Sequence, residues 1–328
     1  MSRSAVLLMA YGAPRELSEI PAYLQDIRGG RPVSAELVRE ITRRYESIGG
    51  RSPLLDITRK QAEALEALLE KEGEFGVYIG MRHSEPGIAS AVEAVLADGH
   101  RSVLALPLTP YQSRMSTGAY LERLRQAVAA KGAELDIRTP APWNEDASLV
   151  SAFAGKVRES LDRRPKAAVL FTAHSLPESI LREGDPYAEQ LLATARAVAA
   201  EAGVSSWRLA YQSRPVSSGS GPAEPWLGPD AGEELTELAS AGAKAVVLSP
   251  IGFLSDHLET LYDADILYRR QAEGLGLAYE RAASLNDDPL LIGALASVVR
   301  SGLRARNEVS DAFRRPDVEP ISRREERA

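Results

Sequence analysis

Two places in this chain carry side chains suited to holding a divalent metal or moving a proton. One is His174, in the segment TAHSLP. The other is SPIGFLSDHLETLYDAD, where Asp256, His257, Glu259, Asp263 and Asp265 crowd together. Neutral imidazole is a common ligand for borderline metals and a competent base near neutral pH. His174 could equally serve only to cap the helix that follows it. If a helix begins near Ser255, then Asp256, Glu259 and Asp263 share one face. Such a ladder could pass a hydrated cation. Acids at a helix N-terminus also suit the dipole, and taken alone these residues favour that solvated-face reading. His257 points away from the ladder. His83, in GMRHSEP, follows an apolar run and fits loop packing better than a site role, and His100 sits in a turn.

A second feature is cationic. The segment 28–51 holds Arg28, Arg31, Arg39, Arg43, Arg44 and Arg51 against Glu36, Glu40 and Glu46. In a helix over 35–48, Leu37, Val38, Ile41, Tyr45 and Ile48 form the apolar stripe. Arg44 falls at its edge, while Arg39 and Arg43 face away. An arginine there wants a carboxylate, either an internal one or one on a substrate.

The elements that must position these groups are legible as short apolar runs at 5–10, 75–81, 102–108, 167–173, 207–213 and 245–253, separated by amphipathic stretches. Near-continuous apolarity predicts parallel strands covered on both faces, hence a doubly wound α/β fold. Thr58 and Gln61 read as a capping box ahead of a helix over 59–72 that Gly73 stops, and the 35–48 helix ends at Gly49-Gly50. A weak repeat aligns AVLLMAYGAP (5–14) with AVLFTAHSLP (168–177), so that Tyr11 stands where His174 stands; VLALPL (103–108) aligns with VVLSPI (246–251). Two similar lobes with a cleft between them are expected, over 1–160 and 161–305, followed by a polar, disordered tail over 306–328. In open α/β sheets ligands bind beyond the carboxyl ends of the strands, which is where Tyr11, His174 and Glu259 fall.

Composition narrows the function. The 328 residues carry a formal charge of −7, which does not favour nucleic acid. There is no cysteine, which excludes disulfides, thiolate zinc sites and cysteine-bound iron–sulfur clusters. The first apolar run is too short to span a membrane or to act as an export signal. A cytoplasmic protein without stable membrane insertion is expected.

With these residues in view the chain resembles the ferrochelatases. LLMAYGAP, RYESIGGRSPL (44–54), FTAHSLPESI, GDPY (184–187), YQSR (211–214), EPWLGPD (224–230) and SPIGFLSDHLETLYDAD match family landmarks in family order, over about 1–303. The resemblance implies insertion of ferrous iron, as substrate, into a porphyrin, without an organic cofactor. It implies His174 and Glu259 as the catalytic, metal-binding pair on one side of the macrocycle and Tyr11 on the other. Arg28, Arg44, Tyr45, Ser52 and Tyr120 match residues around the porphyrin and its propionates. Tyr11 further resembles the branch that uses coproporphyrin III. Protoporphyrin IX is the alternative substrate, a cobalt or nickel chelatase or a non-catalytic tetrapyrrole-binding protein the alternative function. Porphyrin and Fe²⁺ are the implied partners, with transient contact to neighbouring enzymes of heme synthesis. Some members extend the acidic ladder one turn past Asp263; here that position is Leu267, which argues against an outer metal site.

Overall fold

The structure, a computed structural model, describes residues 4–73, 75–213 and 225–304. Two parallel sheets repeat one topology. In the first, β1 (Ser4–Ala10), β2 (Phe75–Met81), β3 (Ser102–Pro107) and β4 (Asp136–Arg138) lie in the order β2-β1-β3-β4. In the second, β5 (Ala168–His174), β6 (Trp207–Gln212), β7 (Ala245–Ser249) and β8 (Ala278–Arg281) lie in the order β6-β5-β7-β8. The repeat in the sequence thus reflects architecture: β1 and β5 hold the same place in their sheets, as do β3 and β7. Their runs are apolar throughout because helices cover both faces. The strands β4 and β8 escape the sequence reading because DIR and AYER are short, polar edge segments.

Helices α1 (Ile20–Ile27), α2 (Ala35–Ser47), α3 (Leu54–Leu69), α4 (Ile88–Ala97), α5 (Thr117–Ala130) and α6 (Ala147–Arg163) belong to the first half of the chain. The second half contributes α7 (Ser179–Arg182), α8 (Tyr187–Ala202), α9 (Ala231–Ser240) and a π-helix (Glu259–Tyr268) that runs into α10 (Arg269–Gly274), then α11 (Pro289–Arg304). The halves exchange helices. Leu149, Phe153 and Val157 of α6 pack with Val169, Phe171 and Val247 of the second sheet. In return α11 packs on α3 and β3, where Gly302 lets the helix approach Leu104. Both lobes therefore share one core, in which each fully buried Leu, Val or Phe contributes about 1.5–3 kcal/mol.

The expected capping box at Thr58 is corrected. Helix α3 starts earlier, at Leu54, with Pro53 at its N-cap, where a missing N–H leaves no donor unsatisfied. Thr58 lies inside the helix, donating to Leu54 O at 2.8 Å. Gln61 is fully buried and donates to Ser255 Oγ at 2.9 Å and Asn286 O at 2.6 Å, which ties the first half to the loop carrying the acidic cluster. The α2 stripe packs as expected on Ile20 and Leu24 of α1, with Ser34 as N-cap. The tail over 306–328 lies outside the described residues, and among those described no helix is long and apolar enough to cross a membrane.

The loop after β7 is pinned to β5 by one glycine. Gly252 N–H donates to Thr172 O at 3.0 Å, and a Cβ there would stand 2.5 Å from that of Ala173. Gly252→Ala should therefore destabilise the protein by about 1–3 kcal/mol through overpacking. A lowered urea midpoint at unchanged slope would register this; an unchanged midpoint would contradict it.

Candidate active site

His174 ends β5, and its backbone is held from two sides. Tyr187 Oη donates to His174 O at 2.9 Å, and Ser175 N–H donates to Gln212 O at 2.9 Å. The imidazole, with 38% of its side chain exposed, places Nδ1 2.9 Å from Glu259 Oε2. Glu259 opens the π-helix, and its carbonyl accepts from Gln212 Nε2 at 3.3 Å. The wider π turn stacks Glu259 and Asp263, four residues apart, on nearly one line, and π segments recur at functional sites. Asp263, 7% exposed, accepts from Ser213 Oγ at 2.7 Å and lies 3.9 Å from Arg44 Nη1.

The ladder expected from helical spacing is corrected at its first rung. Asp256 precedes the helix and serves the loop: it accepts from Ser284 Oγ at 2.7 Å, Asn286 Nδ2 at 2.9 Å and Arg281 Nη1 at 3.1 Å. Asp265 turns to Arg281 as well. His257 hydrogen-bonds Ser255 O through Nδ1 and stacks on Phe253, as a structural residue does. Leu267 is exposed and lines a recess of about 440 Å³ together with Arg44, Ser213, Asp263 and Tyr268. Arg44 spans Glu40, Asp263 and the Tyr262 ring, so the arginine at the stripe edge has internal partners in this state.

Facing this acidic side stands Tyr11, 40% exposed. Its backbone is zipped to the end of β2, since His83 N–H donates to Tyr11 O at 3.0 Å. Gly12 takes φ +89°, and a Cβ there would meet Ser84 Oγ at 2.6 Å, so only glycine allows this close turn. The His83 ring lies 4.6 Å from that of Tyr11 and is anchored through Nδ1 to Asp26 Oδ2 at 2.7 Å, with Arg123 on the other carboxylate oxygen at 3.0 Å. Sequence reasoning set His83 aside as loop packing. The signal that could have promoted it was its place just past the end of a strand, the rule that found Tyr11 and His174. A second recess, about 250 Å³, opens beside Asp26, Arg82, His83 and Arg123. Of the other expected residues, Tyr45 is buried against α1 and Tyr120 against β1 and α4. Buried Ser52 accepts from Leu54 N–H, whereas Arg28 is exposed at the end of α1 and touches neither His174 nor Glu259.

The charges are strongly coupled. Burial alone would raise the Glu259 carboxyl, but the His174 charge and hydrogen bond, aided by His257, bring it down to about 2. For His174 burial works against the imidazolium, yet Glu259 and then Asp263 outweigh it and raise its pKa. Asp263 is pushed up to about 6 by burial and by the Glu259 charge. Burial, then Glu259, pushes the Tyr11 phenol up to about 12, against the pull of Arg82. The pair thus holds one proton between imidazole and carboxylate, a position that a metal cation can take when the proton leaves.

An α/β molecule of two like lobes, with this polar cluster at the carboxyl ends of its central strands, has the chelatase architecture. The sirohydrochlorin chelatase SirB of Bacillus subtilis subspecies spizizenii, in complex with cobalt, superposes with TM-score 0.54 at 14% identity, over 91% of this chain and 94% of that one. CbiX, described as the terminal enzyme of siroheme biosynthesis in denitrifying bacteria, gives 0.52 at 14% identity, over 91% and 98%. Residues 3–303 match the ferrochelatase family model. Ferrochelatase of Deinococcus radiodurans is 43% identical over 302 residues, 90% of this chain and 94% of that protein. Coproporphyrin III ferrochelatase of Geobacillus thermodenitrificans is 40% identical over 303 residues, 90% and 94%. The chain belongs to the ferrochelatase family, enzymes that insert ferrous iron into a porphyrin.

The chain has four histidines, so their imidazole signals can be followed one by one in an NMR titration. His174 should titrate above the ordinary 6.5, and His83 and His257 below it, both lowered first by burial. A raised His174 pKa and a lowered Glu259 pKa mean that the attraction is fully present between the ordinary values of 4.5 and 6.5, fades as pH rises through the His174 pKa, and fades as pH falls through about 2, where Glu259 protonates. In Glu259→Gln the His174 midpoint should fall; a midpoint indifferent to that change would contradict the coupling.

Proposed function

We propose that this enzyme inserts Fe²⁺ into coproporphyrin III to give Fe-coproporphyrin, with His174 and Glu259 as the metal-binding and proton-accepting pair on one face of the ring. Tyr11 faces the metal from the opposite side. The observation that carries this is the 2.9 Å contact between His174 Nδ1 and Glu259 Oε2 at the carboxyl ends of the strands, with the Glu259 charge felt at the Tyr11 phenol. We expect Arg28, Arg44, Tyr45, Ser52 and Tyr120 around the ring and its propionates; Tyr45, Ser52 and Tyr120 are buried here and would reach it only where the packing over them opens. Arg44 would exchange its contacts with Glu40 and Asp263 for substrate, leaving Asp263 hydrogen-bonded to Ser213 Oγ. A relative named for coproporphyrin III supports the substrate, and the unqualified name of the Deinococcus relative keeps protoporphyrin IX as the second reading.

Insertion exchanges one Fe²⁺ for the two pyrrole N–H protons. Binding of the ring periphery would bend the macrocycle and tilt its nitrogens outward, at a strain of a few kcal/mol drawn from contacts remote from the metal. Neutral His174 accepts a proton or holds iron, in successive steps. Glu259, at about 2, is the weaker acceptor of the pair and relays a proton near neutral pH rather than keeping it. Asp263, at about 6 and in line behind it, is matched to receive one. The iron is substrate, and no organic cofactor enters. We further propose that the reaction runs in the cytoplasm, with transient contact to neighbouring enzymes of heme synthesis.

Anaerobic incubation with Fe²⁺ and each porphyrin, followed by the absorbance change on metallation, tests this. Coproporphyrin III should be metallated faster than protoporphyrin IX, and His174→Ala should lose at least about 10²-fold in rate while still binding free porphyrin. Equal or faster use of protoporphyrin IX would overturn the substrate, and normal turnover by the variant would remove His174 from the mechanism.

A further inference from the structure

Arg82 is the first residue beyond β2 and stands one strand away from Tyr11. Its N–H donates to Ala10 O at 2.9 Å, so the end of β2 is zipped onto the end of β1 and the Arg82 side chain emerges at the same carboxyl edge as the phenol. The guanidinium is half-buried. Its carbon lies 5.7 Å from the centre of the Tyr120 ring, and its charge is felt at both Tyr11 and His83.

Although half-buried, this arginine has no carboxylate within ion-pair distance among the described residues, even with Asp26 and Glu122 lining the same recess. The Asp26 oxygens are already taken, one by His83 and the other by Arg123. By contrast Arg44, Arg208 and Arg281 each meet a carboxylate directly. A partly desolvated cation without a counter-ion is costly unless a ligand supplies one. The planar fork of a guanidinium, backed by an aromatic face, suits a carboxylate.

The two candidate substrates differ in where their carboxylates lie. Protoporphyrin IX carries two propionates, side by side on one edge of the ring. Coproporphyrin III carries four, one on each pyrrole, so two of them fall away from that edge and need cations elsewhere. We infer that Arg82 is a specificity-determining carboxylate site, binding a propionate on the edge of the tetrapyrrole beside Tyr11 and Tyr120 that protoporphyrin IX leaves without a carboxylate. This rests on the coproporphyrin III reading and names a residue that would enforce it.

Equilibrium binding of the two metal-free porphyrins to the full chain, read by fluorescence quenching, separates the outcomes. Arg82→Gln should weaken coproporphyrin III by about ten- to a hundred-fold, the worth of one charge-assisted hydrogen-bonded contact, and protoporphyrin IX by less than about two-fold. Arg82→Lys, which keeps the charge and loses the fork, should fall between. Equal weakening of both porphyrins by Arg82→Gln, or of neither, overturns the assignment. If the wild-type chain binds both porphyrins alike, the substrate reading fails by itself; the role of Arg82 is then decided by whether Arg82→Gln still weakens coproporphyrin III more than protoporphyrin IX.

Discussion

The site depends on an imidazole and a carboxylate held against each other at a half-buried sheet edge. His174 and Glu259 are 85 residues apart in the chain, yet their side chains meet at 2.9 Å because β5 ends and the π-helix begins at the same edge of one sheet. Much of the surrounding structure serves that meeting. Tyr187 and Gln212 fix the two backbones, and Gly252 lets the intervening loop lie flat on Ala173. Gln61 reaches across from the first half to hold the loop at Ser255. The consequence is electrostatic. One proton shared between two groups of opposite preference is a proton that a divalent cation can displace, and Asp263 stands behind the pair with a carboxyl tuned near neutrality.

Duplication of the lobe gives the molecule two equivalent edges with unlike chemistry. At the end of β1 the chain places a phenol, supported by the His83–Asp26–Arg123 chain and flanked by Arg82. At the equivalent end of β5 it places an imidazole among acids. The exchange of α6 and α11 between the halves welds the two edges into one body through a common core.

Much of this was legible in the sequence, and the failures have physical causes. Six strands were readable because their runs are largely apolar, including β2 and β6 at the sheet edges, whereas β4 and β8, at the opposite edges, are shorter and polar. Thr58 and Gln61 satisfy the spacing of a capping box, but Pro53 starts the helix a turn earlier and both side chains turn inward. The acidic ladder was drawn with 3.6 residues per turn. The π-helix has a wider turn and starts after Asp256, so Glu259 and Asp263 stay aligned while Asp256 goes to Arg281. The Arg44–Glu40 pair follows i, i+4 spacing, whereas the contact of Arg44 with Asp263 depends on tertiary placement that no spacing encodes. Position alone left His174 open between ligand and cap, and the metal-binding role is what the resemblance to the family implies.

The central claim is that His174 and Glu259 act as one unit on the metal. A double-mutant cycle on kcat/KM for iron insertion, using His174→Ala, Glu259→Gln and the pair together, tests it most directly. Because either change leaves the other group without its partner, each single variant should lose nearly as much as the double. Losses that multiply, so that the double variant falls by the product of the two single effects, would mean that the residues act independently and would contradict the account.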